Sequence, residues 1–97
     1  MNNYAGIPDE FAQYETAQTV LIPIPYDGTS TWGKGADKGP EAFLAASENM
    51  EVYDIETDSE AYRNGVFLQE PIIEEGSPER LRQTVKKSVR GHLENGK

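Results

Sequence analysis

The 97-residue chain has no cysteine and a single histidine, His92. The first absence excludes disulfides, thiolate metal sites and a cysteine nucleophile. The second excludes a multi-histidine metal site built from this chain. Basic residues are scarce: nine Lys and Arg stand against 17 Asp and Glu, a formal charge of −8. Such a surface repels phosphate backbones and anionic membranes, so no nucleic-acid or membrane partner is expected. It would tolerate a small cationic ligand, although solubility alone explains the charge. No apolar run approaches the ~18–20 residues of a membrane-spanning helix, and the opening MNNYAGIPDEF has neither a basic head nor an apolar core. The expected location is the cytoplasm. Hydrophobic residues make up only 36% of the chain, low for a self-sufficient domain.

What apolar material there is comes in a few stretches. Residues 1–18 are polar with scattered aromatics, Tyr4, Phe11 and Tyr14. Ile7–Phe11 suits a short turn with Pro8 at its start; the preferred reading is a lead-in arm whose aromatics dock on a body placed elsewhere. Thr19–Ile24 is continuously apolar, which suits a strand covered on both faces of a parallel α/β sheet. Pro23 and Pro25 cannot donate to a ladder, so pairing should fade near Pro23. The strand opens into the glycine-rich loop Tyr26–Lys38, on the sheet edge where ligands gather in open α/β folds. A helix is expected from Gly39, read as its cap, with Pro40 first and Glu41 in the opening turn, ending near Asn49. Ala42, Phe43, Ala45 and Ala46 are its expected inner face. Glu51–Asp54 reads as a short second strand, residues 55–64 as an acidic connection and Val66–Leu68 as a third strand. Ser77, Pro78 and Glu79 open a last helix whose Leu81, Val85, Val89 and Leu93 form one apolar stripe, stopped at Asn95-Gly96.

Three constellations carry possible chemistry. Gly28–Gly35 falls one residue short of a P-loop: Gly35 stands where a Ser or Thr would hold magnesium, and Asp37 puts a negative charge near the phosphate position. A small nucleotide-binding domain is therefore disfavoured. The acids at 51–60 and 70–79 read as solvated faces, not a catalytic pair. His92, beside the stripe near a helix C-terminus, reads as dipole compensation without a catalytic partner.

The fourth signal is a resemblance. The stretch VLIPIPYDGTSTWGKGADKGPEAFLAAS, with MEVYDIET after it, resembles the N-terminal segment of the arginase/agmatinase (ureohydrolase) family, on the agmatinase side. The family's G-(two or three residues)-GP-(E/R)-A helix start is matched at Gly35-Ala36-Asp37-Lys38-Gly39-Pro40-Glu41-Ala42. The resemblance is good over residues 19–57 and thinner over 58–97. It implies an α/β, three-layer αβα fold with a parallel sheet, of which this chain is the N-terminal part: an arm (1–18) and a strand–loop–helix body (19–97). For the complete enzyme it implies two manganese ions, hydrolysis of a guanidino compound such as agmatine to putrescine and urea, a role in polyamine biosynthesis and a homo-oligomer. The family's ligand motifs, GG-(E/D)-HS, DAH-x-D and D-x-D, do not occur in residues 1–97. No metal ligand or catalytic residue is carried over, and the chain alone is expected to be inactive, as the front of an enzyme cut short. Gly35, Gly39 and Pro40 carry over as a structural loop-to-helix motif. Thr29, Ser30, Thr31 and Trp32 carry over as substrate-rim residues, with a merely packed loop as the competing reading. A truncated paralogue acting as a non-catalytic interaction module is the alternative from another class.

Overall fold

Two short stretches of β-branched, aliphatic and aromatic residues, Thr19–Leu21 (β1) and Val66–Leu68 (β2), pair in parallel with Thr19 opposite Val66 and Leu21 opposite Leu68 in a computed structural model that describes residues 3–29 and 31–97. Between them run the loop and helix α1 (Gly39–Ser47); after them comes helix α2 (Pro78–Glu94). The order β-α-β with a parallel pair is the α/β arrangement the continuous apolar runs imply.

β1 ends at Leu21, three residues short of the expected Ile24, because Pro23 has no amide to give. The chains still touch beyond it: the Gln69 amide donates to the Leu21 carbonyl and the Ile72 amide to that of Pro23, each at 3.0 Å. The expected strand at Glu51–Asp54 is absent. Asp54 instead forms an isolated antiparallel bridge with Ser59 across a tight acidic turn.

Ser77 caps α2 through its hydroxyl, which accepts from the Arg80 amide at 3.2 Å. The helix closes in a Schellman motif: Gly96 adopts φ +80°, its amide donates to the Leu93 carbonyl, and that of Lys97 to the His92 carbonyl. The packed stripe departs from the expected one. Leu81 and Val85 are half-buried, whereas Val89 is 40% and Leu93 65% exposed. A spacing of four drifts by about 40° per step at 3.6 residues per turn. The inner face therefore passes to Ser88 and His92, both half-buried.

α1 also presents a different face from the expected one. Ala42, Ala45 and Ala46 are exposed and Phe43 is mostly so; Leu44 and Ser47 are buried. The reason lies in the N-terminal arm. The Ala5 amide donates to the Ser47 hydroxyl at 2.9 Å, and that hydroxyl donates to the Leu44 carbonyl at 2.6 Å, so the one polar group buried there is satisfied. The arm's aromatics dock on this chain, not on a body elsewhere: Tyr4 stacks on Phe43 at 6.2 Å, Phe11 meets Tyr62 edge-on at 5.4 Å and Tyr14 meets Phe67 at 5.2 Å. Pro8 precedes a single 3-10 turn at Asp9–Phe11.

The core is thin. Among the described residues, Ile7, Ala17, Leu44 and Ile72 are its buried apolar side chains, and none is below 2% exposure. The radius of gyration, 15.2 Å, exceeds the ~13 Å of a compact chain this long. Phe43, Ile73, Val89 and Leu93 remain open as apolar surface.

Candidate functional site

Loop 26–38 leaves the carboxyl end of β1 and is drawn closed at its neck. The Asp27 carboxylate accepts from the Gly35 amide, and the Lys34 ammonium donates to the Asp27 carbonyl at 3.2 Å. Gly35 has φ +134°, where an L side chain is strained, which explains the glycine of the loop-to-helix motif. A single 3-10 turn, Ala36–Lys38, then feeds straight into α1, the Gly39 amide donating to the Ala36 carbonyl. Gly39 is thus the first helical residue and not the cap; Lys38 holds the cap position with no side-chain hydrogen bond. The 3-10 turn supplies a carbonyl to the Gly39 amide, and Pro40 has no amide to satisfy, so two of the helix's orphan donors are accounted for without a capping side chain. Pro40 sits in the first turn, where its missing amide costs nothing.

This neck rules out the phosphate cradle. The lysine that would reach phosphate is turned back to Asp27, a carboxylate takes the Gly35 amide, and the 3-10 turn separates the glycines from the helix start. Thr29, Thr31 and Trp32 ride on the closed loop and are exposed, Trp32 completely; Ser30 lies outside the described residues. The neck residue Asp27 went unnoticed in the sequence, where its only signal is its place just before the first loop glycine.

Beside the loop stems, beyond the carboxyl ends of both strands, lies a hollow of about 410 Å³. Leu44, Leu68, Pro23 and Pro40 form its apolar wall, with Asp37 and Glu41 on its polar side. A second, apolar hollow of about 240 Å³ adjoins it along Leu21, Ile22 and Phe43.

The acidic stretches are locally committed. Glu60 pairs with Arg63 at 2.9 Å and Glu74 with Arg80 at 3.7 Å, while Asp54 accepts from the Glu56 amide. The Asp58 carboxylate takes the Tyr53 hydroxyl; that bond first, then desolvation and the charge of Glu60, raise the phenol above its usual 10.0. The Glu60 carboxylate likewise raises Arg63. Among the described residues, no three His, Cys, Asp or Glu come together as a metal-binding group. Those donors do not fit the two manganese ions.

His92 has partners after all, drawn from far away in sequence. Its Nδ1 lies 2.9 Å from the Tyr14 hydroxyl, and its Nε2 meets Gln69 Oε1, which also accepts from the Ser88 hydroxyl at 3.0 Å. Gln69 Oε1 can only accept, so Nε2 is the donor to it, and in the neutral imidazole the Tyr14 hydroxyl donates to Nδ1. Asn95 donates to the Tyr14 oxygen, and the Lys97 ammonium caps the Ala17 carbonyl at 2.9 Å while lying 4.7 Å over the Tyr14 ring. The network clasps the arm, the end of β2 and the end of α2. It is architecture.

Comparison with known proteins follows the same boundaries. The chain is 35% identical over 78 residues to the N(1)-aminopropylagmatine ureohydrolase of Synechocystis sp., covering 73% of this chain and 26% of that protein. It is 33% identical over 87 residues to an enzyme of the same name from Thermus thermophilus, covering 89% of this chain and 30% of that one. The chain therefore spans between a quarter and a third of these relatives. The solved structure of the agmatine ureohydrolase of Thermoplasma volcanium superposes on the whole chain with a TM-score of 0.83 at 26% identity, over 33% of its own length. Among the described residues, no helix is long and apolar enough to cross a membrane. Residues 17–97 match the Arginase family, and with the β1–loop–α1–β2 unit in place this chain belongs to that family as its N-terminal segment.

Proposed function

We propose that this chain supplies the N-terminal layer of an agmatinase-like ureohydrolase, which in complete form hydrolyses an agmatine-type guanidino compound to an amine and urea. The observation that carries the reading is the superposition of the whole chain, loop and both helices included, on an agmatine ureohydrolase. The names of the sequence relatives make aminopropylagmatine a substrate to test beside agmatine. Two manganese ions and a homo-oligomer belong to the same proposal for the complete enzyme. In this reading Thr29–Trp32 form part of the substrate rim, since they follow the carboxyl end of β1. The chain's own contribution is to position: the Asp27 neck fixes the loop, and Gly35 and Pro40 set the start of α1.

The test is urea release. Residues 1–97 should liberate none from agmatine or aminopropylagmatine, with or without added manganese. Urea release abolished by a chelator would overturn the assignment of chemistry to residues outside this segment.

A second reading, a non-catalytic interaction module, draws support from the two-stranded sheet: parallel strands with open edges can template pairing with another chain. Self-association at a defined stoichiometry, without activity in any assembled form, would favour it.

A further inference from the structure

The two helices lie on opposite faces of the two-stranded sheet. Leu21 and Leu68, paired across it, line the apolar hollow with Phe43 and Leu44, so their face carries α1. Successive strand residues alternate faces, and the other face carries α2. There Phe67 meets Tyr14, Tyr14 and Gln69 both bond His92, and Gln69 also takes the Ser88 hydroxyl. The crossover between parallel strands is right-handed in about 98% of cases. A helix on one face therefore carries the chain one way along the sheet, and a helix on the other face carries it back. α1 leads from β1 out to β2. A right-handed crossover through α2 returns past β2, and β1 already fills the place beside β2. The next parallel strand then falls at the far edge of β1.

The end of α2 lies where such a strand would begin. The Lys97 ammonium donates to the Ala17 carbonyl at 2.9 Å and to that of Tyr14, in the segment that enters β1 at Thr19. The ladder shows which amides the far edge offers. The Thr19 amide donates to the Gly65 carbonyl, while the Leu21 and Pro23 carbonyls accept from Gln69 and Ile72, so the odd-numbered residues of β1 face β2. Alternation turns the Val20 and Ile22 amides to the far edge of β1, and those of Val66 and Leu68 to the outer edge of β2. Among the described residues neither edge has a further strand. Chain to supply one exists in the relatives: the match covers 26% and 30% of the two ureohydrolases and 33% of the solved structure, so two thirds or more of each lies beyond it.

We propose that the far edge of β1, and not the outer edge of β2, is the docking surface for the next parallel strand of the complete ureohydrolase, the one that follows α2. This rests on the ureohydrolase reading above. Strand order then reverses at β1, so its carboxyl end, and not that of β2, opens on the crevice where α/β sheets take ligands.

The experiment compares residues 1–97 alone with a complete enzyme in which they replace the matching segment of the Synechocystis relative. Amide hydrogen exchange is resolved to single residues by mass spectrometry. In the chimera the Val20 and Ile22 amides should slow roughly 10-fold or more beyond any change at Val66 and Leu68. Slowing at Val66 and Leu68 that matches or exceeds that at Val20 and Ile22 overturns the proposal. So does slowing at Val20 and Ile22 in residues 1–97 alone that grows with protein concentration, which would give the edge to a second copy. Urea release from agmatine by the chimera tests the underlying reading separately. If the chimera releases urea with the wrong exchange pattern, only the edge assignment falls. If it folds and releases none while the Synechocystis enzyme does, the ureohydrolase reading fails and the proposal with it.

Discussion

Replacing Gly65 by alanine should destabilise this chain more than any other single glycine substitution in it. Gly65 is buried just before β2 with φ +92° and ψ 127°, a region that side chains avoid. Holding alanine there costs about 1–3 kcal/mol. A Cβ built on it would lie 2.6 Å from the Ala17 Cα and 3.3 Å from the Thr16 carbonyl oxygen. Those are backbone atoms, so relief requires the arm to move, and overpacking of this kind costs about another 1–3 kcal/mol. Moving the arm also strains the two bonds that the Gly65 carbonyl accepts from the Gln18 and Thr19 amides, each 3.2 Å. The sum, about 2–6 kcal/mol, is a large part of the ~5–15 kcal/mol a chain of this size has. Thermal unfolding followed by far-ultraviolet circular dichroism should show a Tm lowered by about 10 °C or more. Faster hydrogen exchange at Gln18 and Thr19 should accompany it. Gly33→Ala is the control: its Cβ meets nothing within 4 Å, and its Tm should stay at the parent value. Equal Tm values for the two variants would refute the close approach of arm and strand on which the reasoning depends.

Tyr14→Phe keeps the ring on Phe67 but removes the hydroxyl between His92 and Asn95; a loss of about 1–2 kcal/mol is expected in urea denaturation, and no loss would mean the clasp is idle. Gly91→Ala lies inside α2 with open space around its Cβ, so the same assay should show a gain of about 0.5–1 kcal/mol. Tyr53 should titrate above 10.0 by carbon NMR of the phenol, and Asp58→Asn should bring it back towards that value. Because the folded chain holds this proton more tightly, the contribution of the Tyr53–Asp58 pair is present below pH 10 and fades as pH rises through the raised value. A Tyr53 titration unchanged in Asp58→Asn would sink the assignment.

Local rules were enough for the parts of this protein whose structure is decided within a few residues. The Ser77-Pro78-Glu79 start and Asn95-Gly96 stop of α2 follow from orphan amides and a left-handed glycine, and both ends are where those residues put them. The continuous run before Pro23 and the Gly35–Pro40 spacing likewise pointed to a strand, a loop and a helix in that order, while the family came from the resemblance of the whole stretch. Tertiary contacts decided the rest. Which side of α1 is buried depends on Ala5 reaching Ser47 across 42 residues, and the partners of His92 come from Tyr14, 78 residues away, and Gln69. Neither distance leaves a periodic trace. The closed neck of the loop needed Asp27 and Gly35 to meet, and nothing in the spacing of a near P-loop distinguishes a neck from a cradle. Local propensity is written in neighbouring residues and can be read from them. The rotation of a helix and the partner of a polar group are set by whatever chain folds back against them, and only the folded molecule contains that information.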